Sequence, residues 1–581
     1  MDNRGALHAL LGLDIGCINT RASYFEIVEE KFRLQASGVA SSSLGQGFQL
    51  GSGAGASMQD LQRRSEIHIL KPNGELIWPY YESGIGLDRI GVILSGGSQL
   101  RTVILGLTEE GSLKAGKALV ESLSLSIIGM YDLTSLLNQT DIIDTLTALH
   151  PEVVVLTGGE NGGAEKPLEG WINVLKLACQ ILPEEARPVI LYAGNTLLET
   201  SVKRYLEPLA DLIVVPNIRP DPDERDLVPG QAALDKVIVN RWQEKITGLK
   251  ELVFRTKAMT GTRSFTLGRM VRYLDLANEK SRKGVFACDL GGCSTTIAAS
   301  LEGKSAVLTK PGFDVDPALF DDGLVDFVHQ WTSELVSRDE VHQYLCNHAL
   351  VPSSVPEDPR GLAISEAYAR YRLHHANQQL VENYPWFPFK PGAGLTGHFE
   401  PIIASGAILT HSPTTGQSLL ILIDGLQPWG VTTIVLDRHH ILPLLGLVGT
   451  HEPVLPTHIL ASDAFESLGT VVAAVGDVPQ DEPVLNVEVK TDNAKDYEVD
   501  IPQGSLRRLI IPSGVTAELT LKPSERTDIG FGGPGVGGRL KVPGGRMGVV
   551  IDARGRPLQL PQDDEKRVET LKHWQLVLGG Q

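Results

Sequence analysis

Two short segments hold the residue types best suited to chemistry. Leu13-Asp14-Ile15-Gly16-Cys17-Ile18-Asn19-Thr20 and Cys288-Asp289-Leu290-Gly291-Gly292-Cys293-Ser294-Thr295-Thr296 both read Asp-x-Gly followed by a polar, hydroxyl-bearing turn, and they lie 275 positions apart, Asp14 to Asp289. Glycine lets a backbone approach phosphate oxygens and take positive φ. Turn N–H groups and Ser/Thr hydroxyls donate to an anion. An aspartate at a strand end can hold magnesium through its waters, because that ion dehydrates reluctantly. The set suits a nucleotide triphosphate. One Asp-x-Gly turn alone is an ordinary hairpin connector; two matched copies in matched strand settings read as a pair of phosphate loops.

The elements that must position these turns follow from the hydropathy pattern. Leu10–Ile15, Arg21–Val28 and Phe32–Ala40 read as strands, the last alternating Phe32, Leu34 and Ala36 with Arg33, Gln35 and Ser37 across the turn Glu29-Glu30-Lys31. The second copy lies between Val285–Cys288 and Thr295–Leu301, with Ser305–Leu308 after the turn Glu302-Gly303-Lys304. Between the copies, strands Val153–Leu156, Pro188–Ala193 and Asp211–Val215 alternate with helices Trp171–Leu182 and Leu197–Leu209. That alternation predicts right-handed crossovers and parallel pairing. The Gly/Ser-rich stretch Ser41–Ser57 reads as a mobile loop.

A helix-like run precedes Lys280, residues 314–385 read as mostly helical, and Pro401–Ala404 and Val431–Leu436 read as strands around the helix Ser418–Leu426. Beyond about residue 461 the texture is β: Val484–Val489, Leu509–Pro512 and Thr516–Leu521 are short alternating runs separated by Gly and Pro, ending in Met547–Ile551 and a helix over Glu565–Leu578. The expected division is 1–256, 257–460 and 461–581.

Composition narrows the function classes. With 52 Lys+Arg against 70 Asp+Glu the net charge is −18, which argues against a general nucleic-acid binder. At 42% hydrophobic and 21% charged the chain is neither disordered throughout nor fibrous. Five scattered cysteines without Cys-x-x-Cys suggest neither a disulfide framework nor a cluster site. No run approaches the roughly 18 apolar residues of a membrane span, and the N-terminus lacks a signal-peptide pattern, so a cytoplasmic protein is expected.

Other constellations are weaker. Thr157-Gly158-Gly159-Glu160-Asn161-Gly162-Gly163 joins a strand to a helix and reads either as an anion site at a helix N-terminus or as a tight crossover. Glu160 reads as a solvated turn residue rather than one that orients water. Gly530-Phe531-Gly532-Gly533-Pro534-Gly535 fits Gly-x-Gly-x-x-Gly but lacks a following helix, so it reads as a β-turn cluster. His439-His440 and His374-His375 lack zinc spacing and read as helix surfaces. No Gly-x-Ser-x-Gly elbow is present.

The paired loops resemble those of the actin, sugar-kinase and heat-shock-chaperone superfamily. The resemblance implies an α/β fold of two actin-like (RNase H-like) lobes around a nucleotide cleft, followed by a C-terminal all-β domain. It assigns ATP and magnesium as cofactors, with Asp14 and Asp289 as metal-holding and catalytic residues. Gly16, Cys17, Thr20, Gly291, Gly292, Ser294 and Thr295 are then phosphate contacts. Ile402-Ile403-Ala404-Ser405-Gly406-Ala407-Ile408-Leu409 is the counterpart of the adenosine turn, with Ser405 and Gly406 lining the adenine.

Thr157–Gly163, Tyr192-Ala193-Gly194-Asn195, Leu419–Leu436 and Val550-Ile551-Asp552-Ala553-Arg554-Gly555-Arg556-Pro557 resemble, in order along nearly the whole chain, the glutamate-mutase-associated MutL family (GlmL), which is unrelated to the mismatch-repair protein of similar name. This implies an accessory or reactivating factor whose partners are subunits of an adenosylcobalamin-dependent mutase such as glutamate mutase. A homo-oligomer is allowed; nucleic acid and membrane are not partners. The sequence departs from the pattern at Cys17 in place of Ser/Thr, Arg21 in place of Lys, Ala404 and Ala407 in place of glycines, and Asn161 in place of an acidic residue. Nucleotide binding is therefore expected while hydrolysis is left open. A metabolite kinase on the same scaffold, which would need a catalytic base, and a nucleotide-binding scaffold protein without turnover are the alternatives.

Overall fold

The computed structural model describes residues 7–42, 50–135, 139–163, 165–278, 282–311, 320–384, 386–387, 397–491, 494–512 and 514–580. Chain contacts divide it into two units: residues 1–27, 35–266 and 307–309, and residues 28–34, 267–306 and 310–581. No described helix is long and apolar enough to cross a membrane.

The first unit is built on strands β1 (Ala9–Ile15), β2 (Asn19–Val28), β3 (Lys31–Ser41) and β4 (Arg89–Leu94). Every residue of β1 is buried, as expected of a central strand covered on both faces. β2 runs antiparallel to it from Ile15↔Thr20 to Ala9↔Glu26, and β4 runs parallel with Asp14 opposite Ile93.

Five further strands, β5 (Leu100–Leu105), β6 (Leu125–Tyr131), β7 (Val153–Gly158), β8 (Val189–Gly194) and β9 (Leu212–Val214), form a separate sheet in the order β6-β5-β7-β8-β9. All its pairings are parallel, as the strand–helix alternation predicted. Its core gathers Leu105, Leu156, Trp171, Leu175 and Tyr192. The chain then returns to the first sheet with β10 (Met259–Thr262), parallel to β4, giving the order β10-β4-β1-β2-β3.

The second unit repeats this order. Strands β11 (Gly284–Leu290), β12 (Ser294–Leu301), β13 (Lys304–Pro311), β14 (Phe399–Ser405) and β15 (Gly430–Leu436) line up as β13-β12-β11-β14-β15. β12 is antiparallel to β11, and β14 and β15 are parallel additions. The same five-strand order thus occurs twice in one chain.

The strand-rich C-terminal segment continues the second sheet. β16 (Glu466–Ala473) pairs antiparallel with β15, Val549–Asp552 pairs parallel with β16, and Leu506–Leu509 closes the edge. Pro483–Thr491, Ala494–Pro502, Thr516–Pro523 and Gly538–Pro543 make an antiparallel sheet of their own. Val431 and Val472 of the large sheet share one core with Val487, Leu519 and Val542 of the small one.

One expectation is corrected. Within Ser41–Ser57, residues 43–49 lie outside the described residues, but Leu50–Arg64 is a helix rather than a mobile loop. Ala54, Met58 and Leu61 are buried at helical spacing, so an apolar stripe outweighs the Gly/Ser content. Asp60 accepts from Val39 N–H at 3.0 Å and pairs with Arg63 and Arg64, which ties the helix to β3 and holds its carboxyl below the usual carboxylate range.

Candidate functional site

Each Asp-x-Gly turn lies at the carboxyl end of the middle strand of the repeated five-strand order, where parallel α/β sheets present ligand-binding loops. In the first unit Gly16 N–H donates to Asn19 O at 3.1 Å and closes the turn between β1 and β2. The connection after β4 lies directly against it. Ser95 N–H and Gly96 N–H both donate to Ile15 O, and a Cβ on Gly96 would stand 2.6 Å from Gly16 O. Sequence reading missed this Ser95-Gly96-Gly97 segment; its only signal is a Ser-Gly pair ending an apolar strand, the same signature as Ser405-Gly406.

Asp14 is buried at the end of β1, and its carboxylate pairs with the Arg263 guanidinium. Arg263 opens the helix Arg263–Ala277 immediately after β10. Its presentation is rigid: the buried Asp235 carboxylate accepts from Thr262 N–H at 2.7 Å and from Thr262 Oγ1 at 2.6 Å. Since β1, β4 and β10 are parallel neighbours, their carboxyl ends share one edge, and Arg263 reaches Asp14 along it. Thr20 is buried, and its hydroxyl is bonded to that of Ser42 at 2.8 Å.

In the second unit Asp289 is likewise buried, opposite Ser405 across the β11–β14 ladder. Here the nearby guanidinium serves the backbone. Arg372, buried in the helix Pro359–Asn383, donates to Gly291 O at 2.7 Å, Ser294 O at 2.8 Å and Thr295 Oγ1 at 2.8 Å. Burial pulls its pKa down, while neighbouring Tyr368 and Asp289 act the other way. The Thr295 hydroxyl is thereby engaged as an acceptor. Beside it, Cys288 is fully buried and its thiol is pushed far above its usual range by desolvation, so it is inert as a nucleophile.

The structure brings Ser405 and Gly406 to this second turn. Gly406 has φ +119°, and a Cβ on it would stand 2.3 Å from Leu290 O, so only glycine fits between β14 and the turn. Ser405 Oγ is bonded to Nδ1 of buried His440 at 2.9 Å. The reading of His439-His440 as a helix surface is therefore corrected, since neither lies on a helix, and the residue packed inside is His440. It lies in the connection after β15 at φ +58°, packed beneath the Ser405 turn. His374 and His375 do lie on a helix, stacked on Phe327 and Tyr371 respectively.

The Gly158–Gly163 turn is a closed crossover rather than an anion site. Asn161 N–H donates to Pro220 O, Gly162 N–H to Asn195 Oδ1 and Gly163 N–H to Glu160 O, and Asn217 Nδ2 bonds Gly159 O and Asn161 Oδ1. Glu160 is exposed, as read. Gly530–Gly535 is followed by a strand, not a helix. Among the described residues no cluster of three or more His, Cys, Asp and Glu makes a ready metal cage. Asp14 and Asp289 are strand-end carboxylates beside glycine turns, and one or two carboxylates are the protein donors that magnesium takes.

Residues 10–312, just over half of the chain, match the family described as MutL protein. No curated protein matches in sequence. Among solved structures, a gluconate kinase from Lactobacillus acidophilus is 10% identical with a TM-score of 0.31, covering 80% of this chain and 93% of that one. A glycerol dehydratase reactivase is 10% identical (TM-score 0.26; 72% and 95% covered). A diol dehydratase-reactivating factor in nucleotide-free form is 10% identical (TM-score 0.29; 76% and 99% covered). Scores this low transfer no activity.

Proposed function

This chain belongs to the MutL protein family, and from that premise we propose that it is an ATP-binding accessory factor, of the reactivating kind, for an adenosylcobalamin-dependent mutase. The observation that carries the nucleotide half is internal: one five-strand order occurs twice, each time with a buried aspartate and a glycine turn at the carboxyl end of its central strand. A single such turn has a bland explanation; a repeated one in the same topological place does not. Support for the mutase as partner is the colinear likeness to the glutamate-mutase-associated family.

In this reading Asp14 and Asp289 hold the magnesium. Gly16, Cys17, Thr20, Gly291, Gly292, Ser294 and Thr295 border the phosphates, and Ser405 and Gly406 border the adenine. Magnesium supplies neutralisation of phosphate charge. The chain's own part is to present two carboxylates at strand ends and to hold the turns in shape, which Arg372 does in the second unit by anchoring two turn carbonyls. Binding energy that differs between nucleotide states is what biases a partner.

The test is calorimetric titration of Mg·ATP into the full chain. Asp14→Ala and Asp289→Ala should each weaken binding at least tenfold with the circular dichroism spectrum retained. Unchanged affinity in both variants would remove the assignment. Phosphate release stimulated by a mutase would support the accessory role; tight ATP binding with no stimulated release would leave a scaffold.

A further inference from the structure

We propose that Arg554 is a positioning residue for the second glycine turn: it joins the C-terminal segment to the helix Pro359–Asn383, which carries Arg372, and so sets where Arg372 holds the turn. This rests on the reading of residues 291–295 as bordering the phosphates. Arg554 belongs to Asp552-Ala553-Arg554-Gly555-Arg556, which follows on the strand Val549–Asp552 and has no part in the nucleotide reading. The side chains of Asp552, Arg554 and Arg556 are at most 1% exposed.

The contacts run without a break from this motif to the turn. Arg554 donates from Nε to Asp552 Oδ1 at 2.9 Å and from Nη2 to Asp552 Oδ2 at 2.8 Å, and its Nη1 stands 2.9 Å from Asp424 Oδ1. Asp424, in the helix Thr415–Leu426, accepts on its other oxygen from Arg370 Nε at 2.9 Å. Arg370 precedes Arg372 by two residues on one helix, and Arg372 donates to Gly291 O, Ser294 O and Thr295 Oγ1. A second tie runs beside the first. Gln575 Nε2, from the helix Asp564–Val577, donates at 3.3 Å to Glu366 Oε2, one turn before Arg370.

Ion pairs removed from water add little to stability, because desolvation offsets most of their attraction. What they give is place. A planar guanidinium set between two carboxylates constrains both of them, and sliding the helix by one turn, about 5.4 Å, would pull the paired charges apart in an apolar interior. Arg370 and Arg372 are borne by the same helix, so a displacement at Asp424 reaches the turn carbonyls. Arg554→Gln isolates this link. Asp552 keeps Arg556 at 2.7 Å and Asp424 keeps Arg370 at 2.9 Å, so each carboxylate still faces a guanidinium and only the join between the two segments is lost.

The test is amide hydrogen exchange of the full chain without nucleotide, read by mass spectrometry at a temperature where each variant is folded by circular dichroism. In Arg554→Gln the amides of residues 291–295 should exchange at least tenfold faster than in the unmutated chain, while those of residues 16–20 in the first unit stay unchanged. Arg372→Gln should do the same, and the double variant should exchange no faster than Arg372→Gln alone, because Arg554 acts through Arg372. Arg554→Lys, which keeps the charge, should recover part of the loss. Mg·ATP should bind Arg554→Gln at least fivefold more weakly by calorimetry. Unchanged exchange at residues 291–295, additive effects of the two substitutions, an equal rise at both turns, or faster exchange with unchanged affinity would each overturn the positioning role. If Arg554→Gln does not fold, Gln575→Met, which cuts the second tie, takes its place and should raise exchange at residues 291–295 at least threefold; no rise would overturn the role. Exchange needs no nucleotide, so the two failures separate. Absence of Mg·ATP binding to the unmutated chain removes the nucleotide reading, whereas binding with unshifted exchange in the variants removes only the positioning role.

Discussion

In the first unit a buried guanidinium grips the carboxylate of the Asp-x-Gly turn; in the second, a buried guanidinium grips the turn's backbone and a threonine hydroxyl. The strand order, the hairpin and the aspartate are shared, yet the arginines enter from different elements and neutralise different things. Arg263 compensates a charge. Arg372 satisfies oxygens that would otherwise be buried without donors, and in doing so fixes the turn's shape. The repeated strand order carries the two aspartates with unlike supports around them. One support answers a carboxylate, and the other ties down the backbone of its turn.

Stability measurements can break this distinction. The largest effect is expected for Arg263→Ala, which strands the buried Asp14 carboxylate and should cost about 3–5 kcal/mol in denaturant unfolding. Asp14→Asn added to that variant should recover most of the loss, because the stranded charge is gone. Arg372→Ala comes next, at about 2–4 kcal/mol for three lost charge-assisted bonds. Here Asp289→Asn should recover less, since the guanidinium's hydrogen bonds go to two carbonyls and a hydroxyl. Equal rescue at both turns would erase the contrast.

Smaller effects sharpen it. Gly406→Ala should cost about 1–3 kcal/mol, because its φ of +119° and the 2.3 Å approach of a Cβ to Leu290 O both oppose a side chain. Ser405→Ala should cost about 1 kcal/mol by thermal unfolding, for one lost bond to buried His440. A cost near zero would mean that His440 is held by its other surroundings.

Much of the architecture was readable along the chain because it is local. Period-two alternation placed β3, short apolar runs placed β1 and β11, and apolar runs between helix patterns announced β7 to β9 of the parallel sheet. The reading failed where burial overrode composition. Leu50–Arg64 looked like a linker because glycine and serine masked the stripe Ala54, Met58 and Leu61. His440 looked like surface because adjacent histidines carry no period, and only the packing of its connection against Ser405 revealed it.

By itself the sequence determined that two Asp-x-Gly turns sit at strand ends, since turn chemistry and alternation act over a few neighbouring residues. Tertiary structure alone decided what faces them. Arg263 lies 249 residues from Asp14 and Arg372 lies 81 from Gly291, and nothing in either local pattern marks them. Their roles arise from desolvation: once folding removes water from a carboxylate or a carbonyl, whichever cation the topology has delivered there becomes its partner.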